Sequence, residues 1–269
     1  RWARLACERH LRDLEHGHNR GLFFDLDAAL HAIDFFSYLR HSKGEWAGSV
    51  VELEPWQKFR IGSVFGWMRE DPDTGEVARR FRIAYNEVAR KNGKSSDAAG
   101  IGLYMLDADG EPGAEVYSAA TKRDQARIVW DEAARMVQWS PALRKRINVL
   151  RGRGNMHVLD THSKFEPLGA DVDGMDGLNV HAAIIDELHA HRTREVWDVL
   201  DTATGARKQP LIWAITTAGF DQTGICYEVR TYATEVLEGR IEDDTFFAYI
   251  ATIDEEDDPF DEAVWIKAN

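Results

Sequence analysis

Short apolar segments alternate with helix-like segments between residues 80 and 252, and this alternation limits the possible folds more than any other feature. The strand-like segments are residues 80–86, 115–119, 156–160, 181–186, 211–217 and 246–252. Helical patterns separate most of them, notably at residues 96–106, 123–138 and 195–202. Strands that alternate with helices build largely parallel sheets. We therefore predict an α/β fold with a mostly parallel central sheet flanked by helices.

The chain before this region has a helical pattern. Apolar residues recur at spacings of three and four: Leu22, Leu26, Leu30, Ile33 and Phe36. This spacing predicts a helix with one apolar face within the first forty residues. A second helix is expected to begin at Pro55 and to continue through Trp67.

The loop after the first predicted strand carries a phosphate-binding signal. It reads Val88-Ala89-Arg90-Lys91-Asn92-Gly93-Lys94-Ser95, which ends in Gly-Lys-Ser but has valine where the general pattern has its first glycine. Gly93 would let the backbone approach a phosphate, Lys94 would contact the β- and γ-phosphate oxygens, and the Ser95 hydroxyl would bind Mg²⁺. The following helix would aim its N-terminus at the anion. A basic surface turn at an ordinary helix start is the alternative.

Two acidic residues stand at the end of the apolar segment 181–186. Asp186 would lie at the carboxyl end of a parallel strand, where α/β proteins bind ligands, and it can hold Mg²⁺ through the ion's water shell. Glu187 can polarise an attacking water molecule as a general base. Surface acids at a strand end are the alternative. Together with the Lys94 loop, however, this pair favours hydrolysis over phosphate transfer to a bound alcohol.

Two further segments carry polar residues that suit a nucleotide site. The strand at 211–217 ends in Thr216 and Thr217, whose hydroxyls can sense a γ-phosphate, although β-branched residues before a glycine turn are the simpler explanation of the segment taken alone. Gln57 follows Pro55 and Trp56, and its amide can pair with both donor and acceptor positions of adenine. A helix start with Trp56 in the core is the alternative there.

Charge is distributed unevenly along the chain. The net charge is −13, which does not suggest a nucleic-acid partner. Ten acids and no Lys or Arg lie between residues 242 and 262, so the remainder carries −13 + 10 = −3. Residues 133–159 contain no acid and six basic residues: Arg135, Arg144, Lys145, Arg146, Arg151 and Arg153. We interpret these runs as an acidic linker and a patch able to contact phosphates, with solvated surface as the alternative for both.

Composition argues against several other classes of protein. A hydrophobic fraction of 44% with nine tryptophans excludes an intrinsically disordered chain. No apolar run reaches the roughly 18 residues that a membrane span needs. Cys7 and Cys226 form neither a disulfide framework nor a metal cluster, which favours a reducing compartment. Five histidines lack zinc-site spacing and are expected to be surface or structural residues: His157, His162, His181, His189 and His191.

Five motifs, in this order, resemble the large terminase subunit of tailed double-stranded-DNA phages, the motor that fills empty capsids with DNA. They are Leu-Glu-Pro-Trp-Gln (53–57), Ala-Arg-Lys-Asn-Gly-Lys-Ser (89–95), Ser-Ala-Ala-Thr-Lys-Arg-Asp-Gln-Ala (118–126), Ile-Ile-Asp-Glu-Leu-His (184–189), and Pro-Leu-Ile (210–212) leading into Ile-Thr-Thr-Ala-Gly (215–219). The resemblance covers nearly the whole chain, and the family tolerates the substitution at Val88.

The resemblance implies a P-loop NTPase of the additional-strand, catalytic-glutamate type that hydrolyses ATP with Mg²⁺. It implies an N-terminal helical lead-in at 1–50, an ATPase core at 51–241, and an acidic linker at 242–269 towards a nuclease domain absent from this chain, so nuclease activity is not expected here. The implied nucleotide-binding residues are Gln57, Arg90, Lys91, Asn92, Gly93, Lys94 and Ser95. The other implied roles are Mg²⁺ binding by Ser95 and Asp186, catalysis by Glu187 and Arg90, and coupling of hydrolysis to DNA movement by Thr216, Thr217 and Ala218.

The resemblance also implies partners and a location. The partners are double-stranded DNA, the small terminase subunit, the portal protein of the procapsid and further copies of the chain in a ring on that portal. The isolated chain is compatible with a monomer, and no membrane is involved. The location is the cytoplasm of the host cell, with the gene on a phage or a prophage.

Two questions stay open at the level of sequence. An arginine that stabilises the transferring phosphate is expected on electrostatic grounds. The candidates are Arg90 in cis and, in cis or from a neighbouring subunit, Arg123, Arg192, Arg194 and Arg207. The alternative functions are a P-loop kinase acting on a small molecule, which leaves Glu187 and the two threonines without a role, and a nucleotide-dependent assembly module without DNA translocation.

Overall fold

The computed structural model describes residues 1–169, 177–191, 193–218, 223–254 and 256–268. The α-helices in these ranges are α1 (Trp2–His16), α2 (Leu26–Phe35), α3 (Pro55–Gly66), α4 (Lys94–Asp107), α5 (Arg123–Trp139), α6 (Glu195–Thr202) and α7 (Ile225–Leu237). The strands are β1 (Leu22–Phe24), β2 (Trp67–Glu70), β3 (Val77–Arg79), β4 (Ile83–Glu87), β5 (Glu115–Ala119), β6 (Ile147–Leu150), β7 (Asn155–Val158), β8 (Ser163–Leu168), β9 (Val180–Ile185), β10 (Leu211–Thr216) and β11 (Phe246–Ile250).

An eight-stranded sheet forms the centre of the protein. Its strand order is β11-β4-β10-β9-β5-β8-β7-β6. The six strands from β11 to β8 are parallel, and β7 and β6 extend the sheet as an antiparallel edge. The predicted α/β fold with a mostly parallel sheet is therefore confirmed. β10 is inserted between β4, which leads into the Gly-Lys-Ser loop, and β9, which leads into the two acids.

The strands near the middle of the sheet read as continuous apolar runs because both faces are covered. All six residues of β9 and all six of β10 are buried. Helices α4 and α5 pack on β5 and β8, whereas α1 and α7 pack against β11. The carboxyl ends of the parallel strands consequently form one edge at which loops can gather.

Helix α4 is held unusually close to its neighbours by two glycines. A Cβ atom at Gly100 would lie 2.5 Å from the Phe36 ring, and one at Gly102 would lie 2.8 Å from the Phe165 ring. Neither position has room for a side chain. Because α4 begins at Lys94, this close packing fixes the helix end that follows the phosphate loop.

The first fifty residues do not form one continuous helix through the predicted pattern of Leu22, Leu26, Leu30, Ile33 and Phe36. Leu22 lies in β1, which forms a small antiparallel sheet with β2 and β3. Helix α2 begins only at Leu26, after Asp25 accepts a capping hydrogen bond from the Ala28 backbone N–H at 3.0 Å. Leu26 and Leu30 are 59% and 43% exposed, so these two apolar residues of the predicted pattern do not form the buried face of the helix. The helix buries another set: Ala29, Ala32 and Phe35.

Buried ion pairs connect α1 to the central sheet. Arg80 contacts Asp13 of α1 at 2.8 Å and Asp244 at 2.7 Å. Asp244 lies two residues before β11, and β11 is an edge strand of the central sheet, so part of the segment 242–269 belongs to that sheet. The division of the chain at residues 50/51 and 241/242 stays a prediction. None of the described helices combines the length and the apolar character that crossing a membrane requires.

Candidate nucleotide site

Three of the predicted functional segments meet at the carboxyl edge of the sheet. The phosphate loop follows β4, Asp186 and Glu187 follow β9, and Thr216 ends β10 between them. The register places Thr216 beside Glu87, the last residue of β4, and the Val88 backbone N–H donates to the Thr216 carbonyl at 3.1 Å. The loop and the threonines are thus fixed to each other by the sheet itself.

The phosphate loop curves so that two of its backbone carbonyls contact the side chain of Lys94. Lys91 and Gly93 both adopt left-handed backbone conformations, with φ of 68° and 71°. Lys94 begins α4, and its Nζ donates to the carbonyls of Val88 at 3.3 Å and Ala89 at 3.1 Å. Glycine suits the sharp bend at Gly93, and a helix N-terminus after such a bend presents backbone N–H groups to an anion.

Lys94 experiences the charges of the other predicted residues. Burial lowers the pKa of its ammonium group, Glu187 and Asp186 oppose that effect, and Arg90 adds to it. The fold therefore places Lys94 within electrostatic reach of Arg90, Asp186 and Glu187. Arg90 and Lys91 are exposed, and Ser95 is half-buried in the first turn of α4.

Asp186 and Glu187 occupy a sharp turn after β9. Glu187 has a left-handed backbone, with φ of 50° and ψ of 51°, a costly conformation for a side chain of this kind. Its backbone N–H donates to Asp186 Oδ1 at 2.9 Å. Burial, and next the charge of Glu187, raise the pKa of Asp186 to about 6. Two carboxylates held together in this turn make it a place where a cation is favourable.

The donor set fits Mg²⁺. A buried carboxylate at Asp186 and a hydroxyl at Ser95 are hard oxygen ligands, which this ion prefers and commonly supplements with water and phosphate oxygens. The destabilised negative charge on Asp186 is an independent reason for a cation here, because a nearby cation favours the ionised form. Among the described residues, no group of three or more His, Cys, Asp or Glu is arranged to hold a metal ion by itself.

Glu187 is connected to the end of β10 through a histidine. His189 Nδ1 lies 3.1 Å from Glu187 Oε2, 3.1 Å from Thr216 Oγ1 and 3.4 Å from Thr217 Oγ1. The His189 backbone N–H also donates to Thr216 Oγ1 at 3.2 Å. Spacing alone predicts only a surface or structural role for His189. Its position two residues after Glu187 is the one signal in the sequence, but only the fold shows that β10 approaches it.

A second set of contacts lies behind Thr216. The Thr216 hydroxyl is 3.8 Å from Cys226 Sγ, which is 4.0 Å from the Tyr85 hydroxyl. Tyr85 donates to Glu87 Oε2 at 2.8 Å, and Arg230 of α7 contacts the same oxygen at 3.0 Å. This chain of groups connects the end of β10 to the β4 strand end and to α7.

Gln57 lies beneath the phosphate loop, with its amide engaged inside the protein. Its Oε1 accepts from the Glu54 backbone N–H at 2.8 Å, as part of a capping box at the start of α3. Its Nε2 donates to Asp97 Oδ1 at 2.6 Å, and Arg60 donates to the other oxygen of Asp97. A Cβ atom at Gly93 would lie 3.8 Å from Gln57 Nε2, so the residue is adjacent to the loop. Its contact with adenine stays a prediction.

A cavity of about 170 Å³ opens beside the loop. Trp56 and Tyr249 line it and stack with ring centroids 6.3 Å apart and planes inclined by 20°. Val88 and Asn92 of the loop line it as well, and the rest of its wall comes from Ala251, Ile266, Lys267 and Ala268. The size and the aromatic lining suit a flat heterocycle.

The candidate arginines lie in different places. Arg207 contacts Glu111 at 2.9 Å, the Gly113 carbonyl at 2.7 Å and the Asn179 carbonyl at 3.1 Å. These partners precede β5 and β9, at the edge opposite the phosphate loop, so Arg207 does not serve the site of its own chain. Arg194 is exposed and pairs with Asp198 and Glu228. Arg123 begins α5, and Arg192 lies outside the described residues.

The remaining predicted residues are distributed as follows. Thr216 and Thr217 are buried, and Ala218 is exposed. His181 is buried at the start of β9, where its Nε2 contacts Asp109 at 2.8 Å. The fold therefore brings together the loop, the two acids and the two threonines, and it separates from them Arg207 and His181.

The strand order and this site define a P-loop NTPase with an additional strand between the phosphate-loop strand and the strand that carries the acids. The family model described as "Terminase large subunit, ATPase domain" matches residues 55–235. The chain belongs to this family.

Individual relatives agree with that assignment. The terminase large subunit of Enterobacteria phage HK97 is 29% identical over 178 residues, which are 65% of this chain and 33% of that protein. Protein YmfN of Escherichia coli strain K12 is 46% identical over 94 residues, which are 35% of this chain and 21% of that protein. The crystal structure of the HK97 bacteriophage large terminase is similar in fold, with a TM-score of 0.74 and 24% identity over 90% of this chain and 47% of that chain. The chain thus spans a third or less of these two curated relatives.

Proposed function

We propose that this chain is the ATP-hydrolysing part of a motor that moves double-stranded DNA into a viral procapsid. The observation that carries the proposal is the meeting of Lys94, Asp186 and Glu187 at one sheet edge, with the additional strand β10 between their strands. Membership of the terminase ATPase family supports the ATPase activity. The DNA, the portal protein and the small terminase subunit are the partners of the whole motor in which we propose that this chain acts.

The residues divide the chemistry among them. The backbone of residues 90–95 and the Lys94 ammonium group bind the phosphates of ATP, and Arg90 reaches the γ-phosphate. Ser95 and Asp186 hold Mg²⁺, which neutralises charge on the phosphate oxygens when bound. Glu187 accepts a proton from the attacking water. The cavity lined by Trp56 and Tyr249 receives the base, with Gln57 adjacent.

The threonines at the end of β10 couple hydrolysis to movement. Thr216 is joined to the Glu187 turn through His189 and to the phosphate-loop strand through the sheet. Binding or loss of the γ-phosphate near Glu187 therefore affects the position of Thr216 at the end of β10. Several such subunits act in a ring on the portal in the host cytoplasm, as in the family that the sequence resembles.

Replacement of Lys94 tests the nucleotide site. We expect Lys94→Ala to lose detectable Mg-ATP binding and phosphate release, because the positive charge between the phosphates is removed. The exposed Lys58→Ala variant is the matched control and should bind ATP as the wild type does. Nucleotide affinity measured by calorimetry is the readout. Unchanged affinity in Lys94→Ala would remove the loop assignment.

A further inference from the structure

The side chain of His189 lies between Glu187, the proposed general base, and Thr216, the proposed coupling residue. Its contacts support an inference that rests on the proposed function. One ring nitrogen, Nδ1, is 3.1 Å from Glu187 Oε2 and 3.1 Å from Thr216 Oγ1. The hydrogen-bond geometry is satisfied towards Thr216, and Glu187 Oε2 is buried without a hydrogen bond among the described residues. His189 Nδ1 is thus a nitrogen within hydrogen-bond distance of that carboxylate oxygen.

Hydrogen-bond chemistry indicates that Nδ1 of His189 carries a hydrogen. An ionised carboxylate only accepts hydrogen bonds, so a lone pair on Nδ1 facing Glu187 would be repelled. Nδ1 therefore carries its hydrogen. That single N–H has two acceptors at 3.1 Å, the Glu187 carboxylate and the Thr216 hydroxyl, and the Thr217 hydroxyl lies farther away at 3.4 Å. The bond to the carboxylate is charge-assisted and the stronger of the two when its geometry is good.

Backbone contacts make the choice between the Glu187 and Thr216 acceptors depend on the position of β10. The Thr216 hydroxyl accepts from the His189 backbone N–H at 3.2 Å and donates to the Thr217 carbonyl at 2.8 Å. The short 3₁₀ turn Leu188–Ala190 is consequently tied to the end of β10. Because His189 is hydrogen-bonded to Thr216 and Glu187 lies outside this turn, we expect a shift of β10 to change the distance between His189 and the Glu187 carboxylate.

We propose that His189 is a positioning residue that orients the Glu187 carboxylate for catalysis and links that orientation to Thr216. When Nδ1–H bonds to Glu187, the carboxylate is held in one orientation. When it bonds to Thr216, as here, Glu187 Oε2 lacks that partner and the carboxylate is free to change its orientation. The ring exchanges a hydrogen-bond partner, so no proton transfer or bond cleavage is involved.

The first test is kinetic, on the full chain with DNA present. We expect His189→Ala to lower the rate of phosphate release about tenfold, a part of the 10²–10⁴ that a general base contributes, with ATP affinity unchanged to within about twofold. His189→Asn retains an N–H donor near Nδ1 and should recover most of the rate. In a Glu187→Gln background, His189→Ala should have no additional effect. His16→Asn is the control, since His16 is an exposed histidine 3.6 Å from Glu15.

The second test does not depend on turnover. The Nδ1 resonance of His189, observed by long-range proton–nitrogen NMR, should show a protonated Nδ1 and should move in both Glu187→Gln and Thr216→Val. A His189→Ala variant that hydrolyses ATP normally while Glu187→Gln is inactive would overturn the inference alone. So would an Asn variant as slow as the Ala variant, or an Nδ1 resonance that neither substitution moves. Normal turnover in Glu187→Gln would instead remove the proposed function.

Discussion

Arg60 donates to Asp97 in a fully buried ion pair that joins α3 to the first turn of α4. Arg60 also contacts Asn86 Oδ1 at 3.2 Å, and its guanidinium lies 4.5 Å from the Trp56 ring. Asp97 in turn accepts from Gln57 at 2.6 Å. The pair therefore holds α3, which carries the cavity residue Trp56, against α4, which begins at Lys94.

Removal of the arginine should destabilise the protein strongly. Arg60→Met leaves the Asp97 carboxylate buried with one hydrogen-bond partner fewer and no opposite charge. We expect the free energy of unfolding to fall by about 3–5 kcal/mol, because an uncompensated charge stays buried. Urea unfolding measures this change. The double variant Arg60→Met/Asp97→Asn removes the charge and should regain part of the loss, and a double variant no more stable than Arg60→Met would contradict the explanation.

Asp186 should make stability depend on pH in an unusual direction. Its pKa in the folded chain is raised to about 6 from 3.8, so between these values the folded state binds more protons than the unfolded state. Stability from this group is then present at low pH and is lost as the pH rises through about 6, by about 3 kcal/mol in total.

Asp186→Asn provides the measurement. Without nucleotide and metal, the variant should be more stable than the wild type at pH 7, and the difference should disappear near pH 4. Unfolding in urea across this range tests the sign, with the exposed Asp160→Asn as the control. A variant that is less stable than the wild type at pH 7 would show that the carboxylate is not strained by burial. The same variant should lose phosphate release.

The aromatic cavity should contribute to binding of the base and not of the phosphates. We expect Trp56→Ala to weaken ATP binding about tenfold, since loss of one stacking surface costs about 1–2 kcal/mol. Affinity for inorganic triphosphate should not change. The control is Trp46→Ala, which removes an exposed tryptophan that does not line this cavity. Equal weakening for ATP and triphosphate would place the base elsewhere.

The basic segment 133–159 begins in the last turns of α5, and its remainder lies at the antiparallel edge of the sheet, around β6 and β7. Arg144, Lys145, Arg146 and Arg153 are all exposed in this segment, and Arg146 is also paired with Asp107 at 2.9 Å. Reversing the charges of Arg144, Lys145 and Arg153 to Glu should weaken DNA binding. The slope of log K against log salt should also fall by about 1 for each phosphate that the chain no longer neutralises. Fluorescence anisotropy with duplex DNA at several salt concentrations measures both quantities.

Equal charge reversal elsewhere controls for the change in net charge. The control positions are Arg4, Lys58 and Lys208, which are exposed on other elements. If both triple variants lose affinity equally, the edge is not a specific DNA contact. If the salt slope is unchanged, the segment is ordinary surface.

The sequence predicted the parallel part of the fold well because those strands are short apolar runs. The segment 115–119 and the helix at 195–202 match β5 and α6 in both bounds. Strand β8 was missed, since Pro167 and alternating polar residues weaken its signal, although it pairs with β5. The strand at 156–160 was found as β7, but its antiparallel direction is set by a hairpin with β6 that periodicity does not reveal.

The site was predictable where local motifs carry it and not where tertiary contacts do. Lys94, Asp186 and Glu187 stand at recognisable strand and helix ends. By contrast, Asp97, His189 and Arg230 act through partners that are 27 to 143 residues away in the chain. No spacing rule connects such residues, because their meeting depends on the order of strands in the sheet.

Phosphate release by Glu187→Gln, measured together with ATP affinity, tests the central claim most directly. The variant keeps the size of the side chain but cannot accept the proton of the attacking water, so we predict a loss of rate of about 10²-fold or more with ATP affinity within about twofold of the wild type. The exposed Glu195→Gln should behave as the wild type. Turnover by Glu187→Gln at the wild-type rate would contradict the assignment of Glu187 as the general base, and with it this account of the site.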